Sequence, residues 1–324
     1  MRAVLQPVYG LPEVLVQGEV PRPVVHDDGV LVQVVASAVT KGDWHLLTGK
    51  PYLIRLAGFG FKKPNQPIPG MAVAGRVEAV GRNVTAFHVG DEVLGEINRG
   101  GFAEYVCVRE AELVHKPATL SFEGAAAIPV SATTALQGLR DAGRLQAGQS
   151  VLINGAAGGV GTFAVQIAKA LGAVVTGVCS AGNVELVRSI GADHVIDYGQ
   201  EDFTQGGRRY DVIFDLVGNR PLAACRRVLT ARGRLVACAG GVGHDWVGPM
   251  LLVLAGLATN LYSPQPFVSL MAKPNNDDLL TVCGLVEAGT VRPVIDRRYG
   301  LGEAQEAMRY LGAGHSRGKS VFML

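Results

Sequence analysis

Leu152-Ile153-Asn154-Gly155-Ala156-Ala157-Gly158-Gly159-Val160-Gly161 is the stretch on which the reading of this chain turns. The apolar run Ser150 to Asn154 predicts a buried strand, and Gly159 to Leu171 predicts a helix. Val160, Phe163, Ala164, Ile167, Ala168 and Leu171 recur at helical spacing, with Thr162, Gln166 and Lys169 on the opposite face. Between strand and helix stands the pattern G-x-G-x-x-G, with Ala156 in place of the first glycine, then Gly158 and Gly161. Gly158 lets backbone approach a pyrophosphate, and Gly161 lets the helix pack closely on the strand. The N–H groups at the helix start face the anion.

Working outward, strand and helix patterns alternate. Val174 to Cys179, His194 to Tyr198, Tyr210 to Leu216 and Arg234 to Ala239 read as strands. Asn183 to Gly191 and Pro221 to Leu229 read as helices between them, which predicts a doubly wound parallel sheet. Helical stretches at Ser121-Phe122-Glu123 and Val130 to Leu139 lead into this region. Before residue 121 the texture is different: Val30 to Val35, Ala72 to Val80, Glu92 to Leu94 and Ala103 to Val108 are Val/Ala-rich runs between glycines. They predict an all-β unit with little helix. Near the C-terminus, Asn276 to Glu287 reads as a helix, and Val294-Ile295 and Ser320 to Phe322 as strands returning to the first unit. The expected division is 1–122 completed by 274–324, with 123–273 as the nucleotide-binding unit.

The end of the second strand decides which dinucleotide is expected. An NAD site carries an Asp or Glu about 20 residues past the glycines, on the ribose 2′-hydroxyl. Here Cys179-Ser180-Ala181-Gly182-Asn183 has no carboxylate before Glu185. Ser180 and Asn183 can donate to a 2′-phosphate, with Arg188 and Tyr198 as further donors, so NADP(H) is the expected cofactor.

The 324 residues hold 43 glycines, 48% hydrophobic and 18% charged residues, which suits folded domains and excludes disorder. Thirty basic against 28 acidic residues leave a net charge of +2, no footprint for nucleic acid. Arg55, Lys62 and Lys63 read as a solvated loop. Cys107, Cys179, Cys225, Cys238 and Cys283 include no C-x-x-C pair, so neither a zinc knot nor a disulfide framework is expected. Together with Met1-Arg2 running straight into a strand-like Ala3-Val4-Leu5, this points to the cytoplasm. Trp246 to Ala272 carries no charged side chain, but Pro249, Asn260, Pro264 and Pro266 interrupt it. It reads as a buried or interface segment and not as a membrane span.

From Gly148 to Lys169 the chain resembles the zinc-independent quinone oxidoreductases of the medium-chain dehydrogenase/reductase superfamily. The residues that carry the likeness are Gly148-Gln149, Leu152, Ala156-Ala157-Gly158-Gly159, Gly161, Gln166 and Lys169. Ala74-Gly75-Arg76-Val77, Gly90-Asp91-Glu92-Val93 and Gly100-Gly101-Phe102-Ala103-Glu104-Tyr105 resemble the family's GroES-like domain. Pro293 to Asp296 and Gly314 to Lys319 resemble its C-terminal return, and within the group the chain resembles the reticulon-4-interacting reductase type.

The resemblance implies that Ala157, Gly158, Gly159 and Val160 hold the pyrophosphate, and that Ser180 and Tyr198 contact the 2′-phosphate. Leu216, Val217, Ala239 and Gly240 line the adenosine and nicotinamide-ribose side. Val268 and Leu270 lie over the nicotinamide, Thr134 approaches it, and His315, Ser316 and Arg317 form a C-terminal cofactor contact. A homodimer is implied as well.

Where zinc-dependent relatives carry ligands, this chain has Thr40-Lys41, Gly70-Met71-Ala72 and Ser131-Ala132, so no metal is expected. Many zinc-free relatives carry Asn-x-x-Asp where Thr40-Lys41-Gly42-Asp43 stands, and an acidic residue at Ala72. Thr40, Asp43 and Tyr52 are the catalytic candidates, with His45 behind them. The implied chemistry is hydride transfer from NADPH to a quinone or an α,β-unsaturated carbonyl. A non-catalytic NADPH-binding or redox-sensing protein and an enoyl-thioester reductase remain the alternatives.

Overall fold

Ten residues from Gly29 to Ala38 make strand β3, buried along nearly its whole length, around which the first unit is organised. The computed structural model describes residues 1–52, 55, 59–238, 250–314 and 316–324. They form two units: Met1–Thr133 with Pro274–Glu287 and Pro293–Leu324, and Thr134–Lys273 with Ala288–Arg292. The first boundary falls after Thr133, where the sequence suggested 122.

In the first unit β1 (Arg2–Leu5) pairs with β2 (Val16–Glu19). The main sheet holds β3, β4 (Ala72–Val80), β5 (Glu92–Glu96), β6 (Tyr105–Arg109) and β7 (Leu113–His115). One side of β3 pairs with β4; the other takes β6 against residues 29–33 and the last strand against residues 36–38. The Val-rich faces of these strands pack Val30, Val32, Val73, Val77, Val93 and Val106 into one core.

The expectation of little helix fails at α1 (Lys41–Thr48). Thr40 caps it: its hydroxyl accepts from the Asp43 N–H (3.2 Å), and the Asp43 carboxylate takes the Thr40 N–H (2.8 Å). Gly49 ends it at φ +61°, where a Cβ would meet the Tyr9 ring at 2.7 Å. Residues 122–127 form α2 and 131–136 form α3, which crosses the unit boundary.

The second unit continues with β8 (Ser150–Asn154), α4 (Gly161–Ala170), β9 (Val174–Cys179), α5 (Val184–Ser189), β10 (His194–Asp197), β11 (Tyr210–Asp215), α6 (Leu222–Arg227), β12 (Leu229–Ala237), α7 (Met250–Thr259) and β13 (Phe267–Ser269). All six strands are parallel in the order β10-β9-β8-β11-β12-β13. That is the doubly wound dinucleotide-binding order, whose connection reverses between β8 and β11. Leu152, Val178, Ile213, Leu235 and Phe267 share its core.

The uncharged segment is not simply buried: Leu254 and Leu257 on α7 are 57% and 47% exposed, while Phe267 on β13 is buried. Residues 246–249 lie outside the described ones. No described helix is long and apolar enough to cross a membrane.

The chain then returns to the first unit as α8 (Asn276–Glu287), β14 (Ile295–Tyr299), α9 (Ala304–Gly312) and β15 (Lys319–Met323). β15 is the strand that pairs with β3, and Phe322 on it packs edge-on against Phe102, ring centroids 4.6 Å apart. Helix α9 packs Ala304, Ala307 and Met308 on the same cluster.

Candidate active site and cofactor cradle

At the reversal point, the carboxyl ends of β8 and β11 are tied together by side chains. Asn154 Nδ2 donates to Asp215 Oδ1 (2.8 Å), and the same oxygen accepts the N–H groups of Val217 (3.0 Å) and Gly218 (2.9 Å). Leu216 N–H donates to Asn154 O (3.1 Å). The predicted residues Leu216 and Val217 are thus held at the strand ends, where open α/β sheets bind ligands.

The glycine turn follows β8. Gly155 has φ +88°, a conformation that L side chains rarely adopt. A Cβ on Gly161 would lie 2.1 Å from Gly155 O, so the approach of α4 to the turn requires glycine. A Cβ on Gly158 would meet only Gly155 O, at 3.4 Å. No side chain caps the start of α4 at Val160. A pyrophosphate fits such a cradle: close backbone, an open glycine face and a helix start whose N–H groups have no side-chain acceptor. Ala157, Gly158, Gly159 and Val160 all lie in this turn.

At the end of β9, Asn183 Nδ2 donates to Ser180 Oγ (3.0 Å), which leaves the Ser180 O–H to donate elsewhere, as a phosphate requires. Asn183 Oδ1 is buried without a partner, and Tyr198 is exposed one residue beyond β10. The linear sequence hid one carboxylate. Asp197 pairs in register with Cys179, directly before Ser180. Its oxygens accept from Gly199 N–H (3.0 Å) and Gln200 Nε2 (3.0 Å). Burial first, and Asp197 second, push the Cys179 thiol up to about 11, so it is no nucleophile at neutral pH.

Val268 pairs with Val236, and Leu270 N–H donates to Ala237 O (2.8 Å), both at the sheet's edge strand. Thr134 is buried in α3. Ala239, Gly240 and His315 lie outside the described residues. In the first unit, Arg317 N–H donates to Asp296 Oδ2 (2.9 Å), and Ser316 is half-buried beside it.

The catalytic candidates sit at and just after α1. Thr40 Oγ1 lies 2.7 Å from Asp43 Oδ2, and Asp43 Oδ1 accepts Gly70 N–H (3.1 Å), so both side chains are committed within the protein. Asp43 is 1% exposed. Burial raises its carboxyl above the usual carboxylate range, opposed by the bonds from Thr40 and by the charges of Lys319 and Arg99. Sequence reasoning missed both cations. Lys319, 2% exposed, donates to Val39 O (2.9 Å) and Ser131 Oγ (3.0 Å), and burial pulls its ammonium down to about 8. Arg99, 6% exposed, donates through Nη2 to Gln6 Oε1 (2.7 Å), while its Nη1 is buried without a partner.

His45 Nδ1 lies 3.0 Å from Lys50 O and therefore carries the proton; burial lowers its pKa and keeps the ring neutral. Tyr52 carries the Arg55 guanidinium 4.6 Å from its ring centroid, and Arg55 also stacks on Tyr9 at 4.5 Å. The three positions where zinc-dependent relatives place ligands are occupied as the sequence reads: Thr40 by its cap, Met71 against Gly42, and Ser131 by Lys319. Among the described residues no group of three or more His, Cys, Asp or Glu side chains is placed to hold a metal ion.

A GroES-like β unit interrupted by a doubly wound dinucleotide-binding unit defines a two-domain oxidoreductase of the dehydrogenase type. Residues 26–118 match the alcohol dehydrogenase GroES-like domain, and residues 190–322 match a domain described as zinc-binding dehydrogenase. The chain is 33% identical to the 2-methylene-furan-3-one reductase of Solanum lycopersicum, over 97% of this chain and 76% of that protein. It is 32% identical to the mitochondrial NAD(P)H oxidoreductase RTN4IP1 of Mus musculus, over 92% of this chain and 83% of that one. The quinone oxidoreductase from Coxiella burnetii has the same fold, with a TM-score of 0.87 at 29% identity over 100% and 99% of the two chains. The chain belongs to the medium-chain dehydrogenase/reductase superfamily, in its zinc-independent quinone oxidoreductase group.

Proposed function

We propose that this protein is an NADPH-dependent reductase of quinones or α,β-unsaturated carbonyls. The observation that carries the proposal is the glycine cradle at the reversal point of the sheet, with an uncapped helix start and the Ser180 hydroxyl at the next strand end. Its relatives, a 2-methylene-furan-3-one reductase and a quinone oxidoreductase, support the acceptor class. Bound NADPH supplies hydride. Ala157 to Val160 would hold its pyrophosphate through backbone N–H groups, and Ser180, Asn183 and Tyr198 would donate to its 2′-phosphate. Leu216, Val217, Ala239, Gly240, Val268 and Leu270 would line the rest, with Thr134, His315, Ser316 and Arg317.

On the acceptor side, reduction leaves an oxygen that must gain a proton. Thr40 and Asp43, committed to each other, would set the start of α1, and Tyr52 would donate the proton. Steady-state oxidation of NADPH and of NADH with a quinone, an enone, an enal and an enoyl-thioester tests the reading. Turnover with NADPH preferred, on quinone or enone and in the presence of chelator, is the expected result. Preference for NADH would sink the cofactor assignment, and ordered NADPH binding without any turnover would favour a sensor.

Tyr52→Phe is expected to lower kcat for the enone roughly 100-fold, the usual worth of a positioned acid, and to leave the NADPH Kd unchanged. Unchanged kcat would remove Tyr52 from the mechanism. The exposed Leu254, Leu257, Leu261 and Tyr262 around α7 support a homodimer, which light scattering would read as twice the chain mass.

A further inference from the structure

Val130 has φ +66°, in the left-handed region where a β-branched residue is an outlier. It stands between α2 and α3, in Ile128-Pro129-Val130-Ser131. Such strain persists only where the surroundings over-determine it, and it concentrates at functional turns. Here the surroundings are specific. The Val130 N–H donates to Glu96 Oε2 (3.1 Å), and Thr133 Oγ1 lies 3.4 Å from the same oxygen and 3.3 Å from Val130 O. Glu96 is the last residue of β5, and its register partner across β4 is the methyl side chain of Ala72. The next residue of the turn, Ser131, is held from another side by Lys319.

We infer that Glu96 is a positioning residue: its carboxylate holds Val130 in the left-handed conformation and thereby fixes the entry to α3. That helix carries Thr134, one residue past Thr133, so the inference rests on the proposed cofactor reading, in which Thr134 approaches the nicotinamide half. Burial raises the Glu96 carboxyl above the usual range, and the Val130 N–H and Thr133 hydroxyl oppose that. Among the described residues, Glu96 bonds the turn at Val130, Lys319 bonds it at Ser131, and the charge of Asp43 acts on Lys319. Protonating Glu96 weakens its acceptance of the Val130 N–H, since a charged acceptor bonds more strongly than a neutral one.

Three variants test this: Glu96→Leu, Glu96→Gln, and Glu96→Leu combined with Val130→Gly. Leucine removes the acceptor, glutamine keeps an acceptor that does not titrate, and glycine adopts φ > 0 without support. NADPH affinity by fluorescence titration across the acid range, and thermal melts, are the readouts. Glu96→Leu is expected to weaken NADPH roughly 10-fold, the worth of a lost hydrogen bond to a charged group. Adding Val130→Gly restores the affinity to within about threefold, and Glu96→Gln, a neutral acceptor at every pH, falls between wild type and Glu96→Leu at pH 7 and loses the acid-side weakening. Wild-type affinity in Glu96→Leu, or no rescue by glycine, overturns the inference while leaving the cofactor reading intact. A wild-type protein that binds no NADPH overturns both.

Discussion

Gly161→Val is expected to abolish binding of the proposed NADPH and to lower the stability of the second unit. Its Cβ would lie 2.1 Å from Gly155 O and 2.8 Å from the Ala156 carbonyl carbon and Cα. All three are backbone atoms of the turn, so relief means moving α4 away from β8, and the helix start would leave the place proposed for the pyrophosphate. Gly158→Ala separates the two effects. Its Cβ meets Gly155 O at 3.4 Å and nothing else within 4 Å, so the free protein accommodates it. That variant is expected to melt as wild type does and to bind NADPH at least 10-fold more weakly, because the methyl group occupies the face the pyrophosphate approaches. Calorimetric titration with parallel thermal melts reads both. Wild-type NADPH affinity in Gly158→Ala would show that the dinucleotide does not use this turn.

The parts of the fold that were legible in the sequence are those whose signal is local. β8, α4 and β9 each carry their own period, and the glycines between them are demanded by contacts a few residues apart. Strands β2, β7 and β13 escaped because each has only three or four residues, too few for a pattern of alternation. Helix α1 escaped because its signal is a cap, Thr40 with Asp43, followed by few apolar residues; the same two residues invited a purely catalytic reading. At the candidate site, the Ser180–Asn183 hydrogen bond joins residues of one turn that the sequence sets side by side, whereas Asp197 reaches Cys179 only through strand pairing. Lys319 and Arg99 were invisible for a similar reason. A lone Lys or Arg in a sequence reads as solvated, and only long-range contacts to Ser131, Val39 and Gln6 bury them.

Those buried cations make Asp43→Ala the most destabilising single change expected in the first unit. Three donors lose their acceptor at once: the Thr40 N–H, the Thr40 hydroxyl and the Gly70 N–H. Lys319 and Arg99 lose the one carboxylate that acts on both. Stranding a buried charge in this way costs about 3–5 kcal/mol. Loss of the cap alone, as in Thr40→Ala, costs about 1–2 kcal/mol, so the two variants separate the cap from the charge. The pH dependence has a definite sign. Lys319 titrates near 8 in the fold and near 10.5 unfolded, so between these values the unfolded chain binds more protons and stability rises with pH. Asp43 raises the Lys319 pKa; without it the ammonium gives up its proton at lower pH, and the rise in stability starts lower. Asp43 itself, raised in the fold, makes its own contribution in full below its unfolded value and loses it as pH climbs through its folded titration, a window that opens on the acid side. Adding Lys319→Met to Asp43→Ala removes the stranded cation and should recover part of the loss, giving a coupling free energy in a double-mutant cycle by urea denaturation. Strictly additive losses would mean that Asp43 and Lys319 do not sense each other, and that the cap alone accounts for the buried carboxylate.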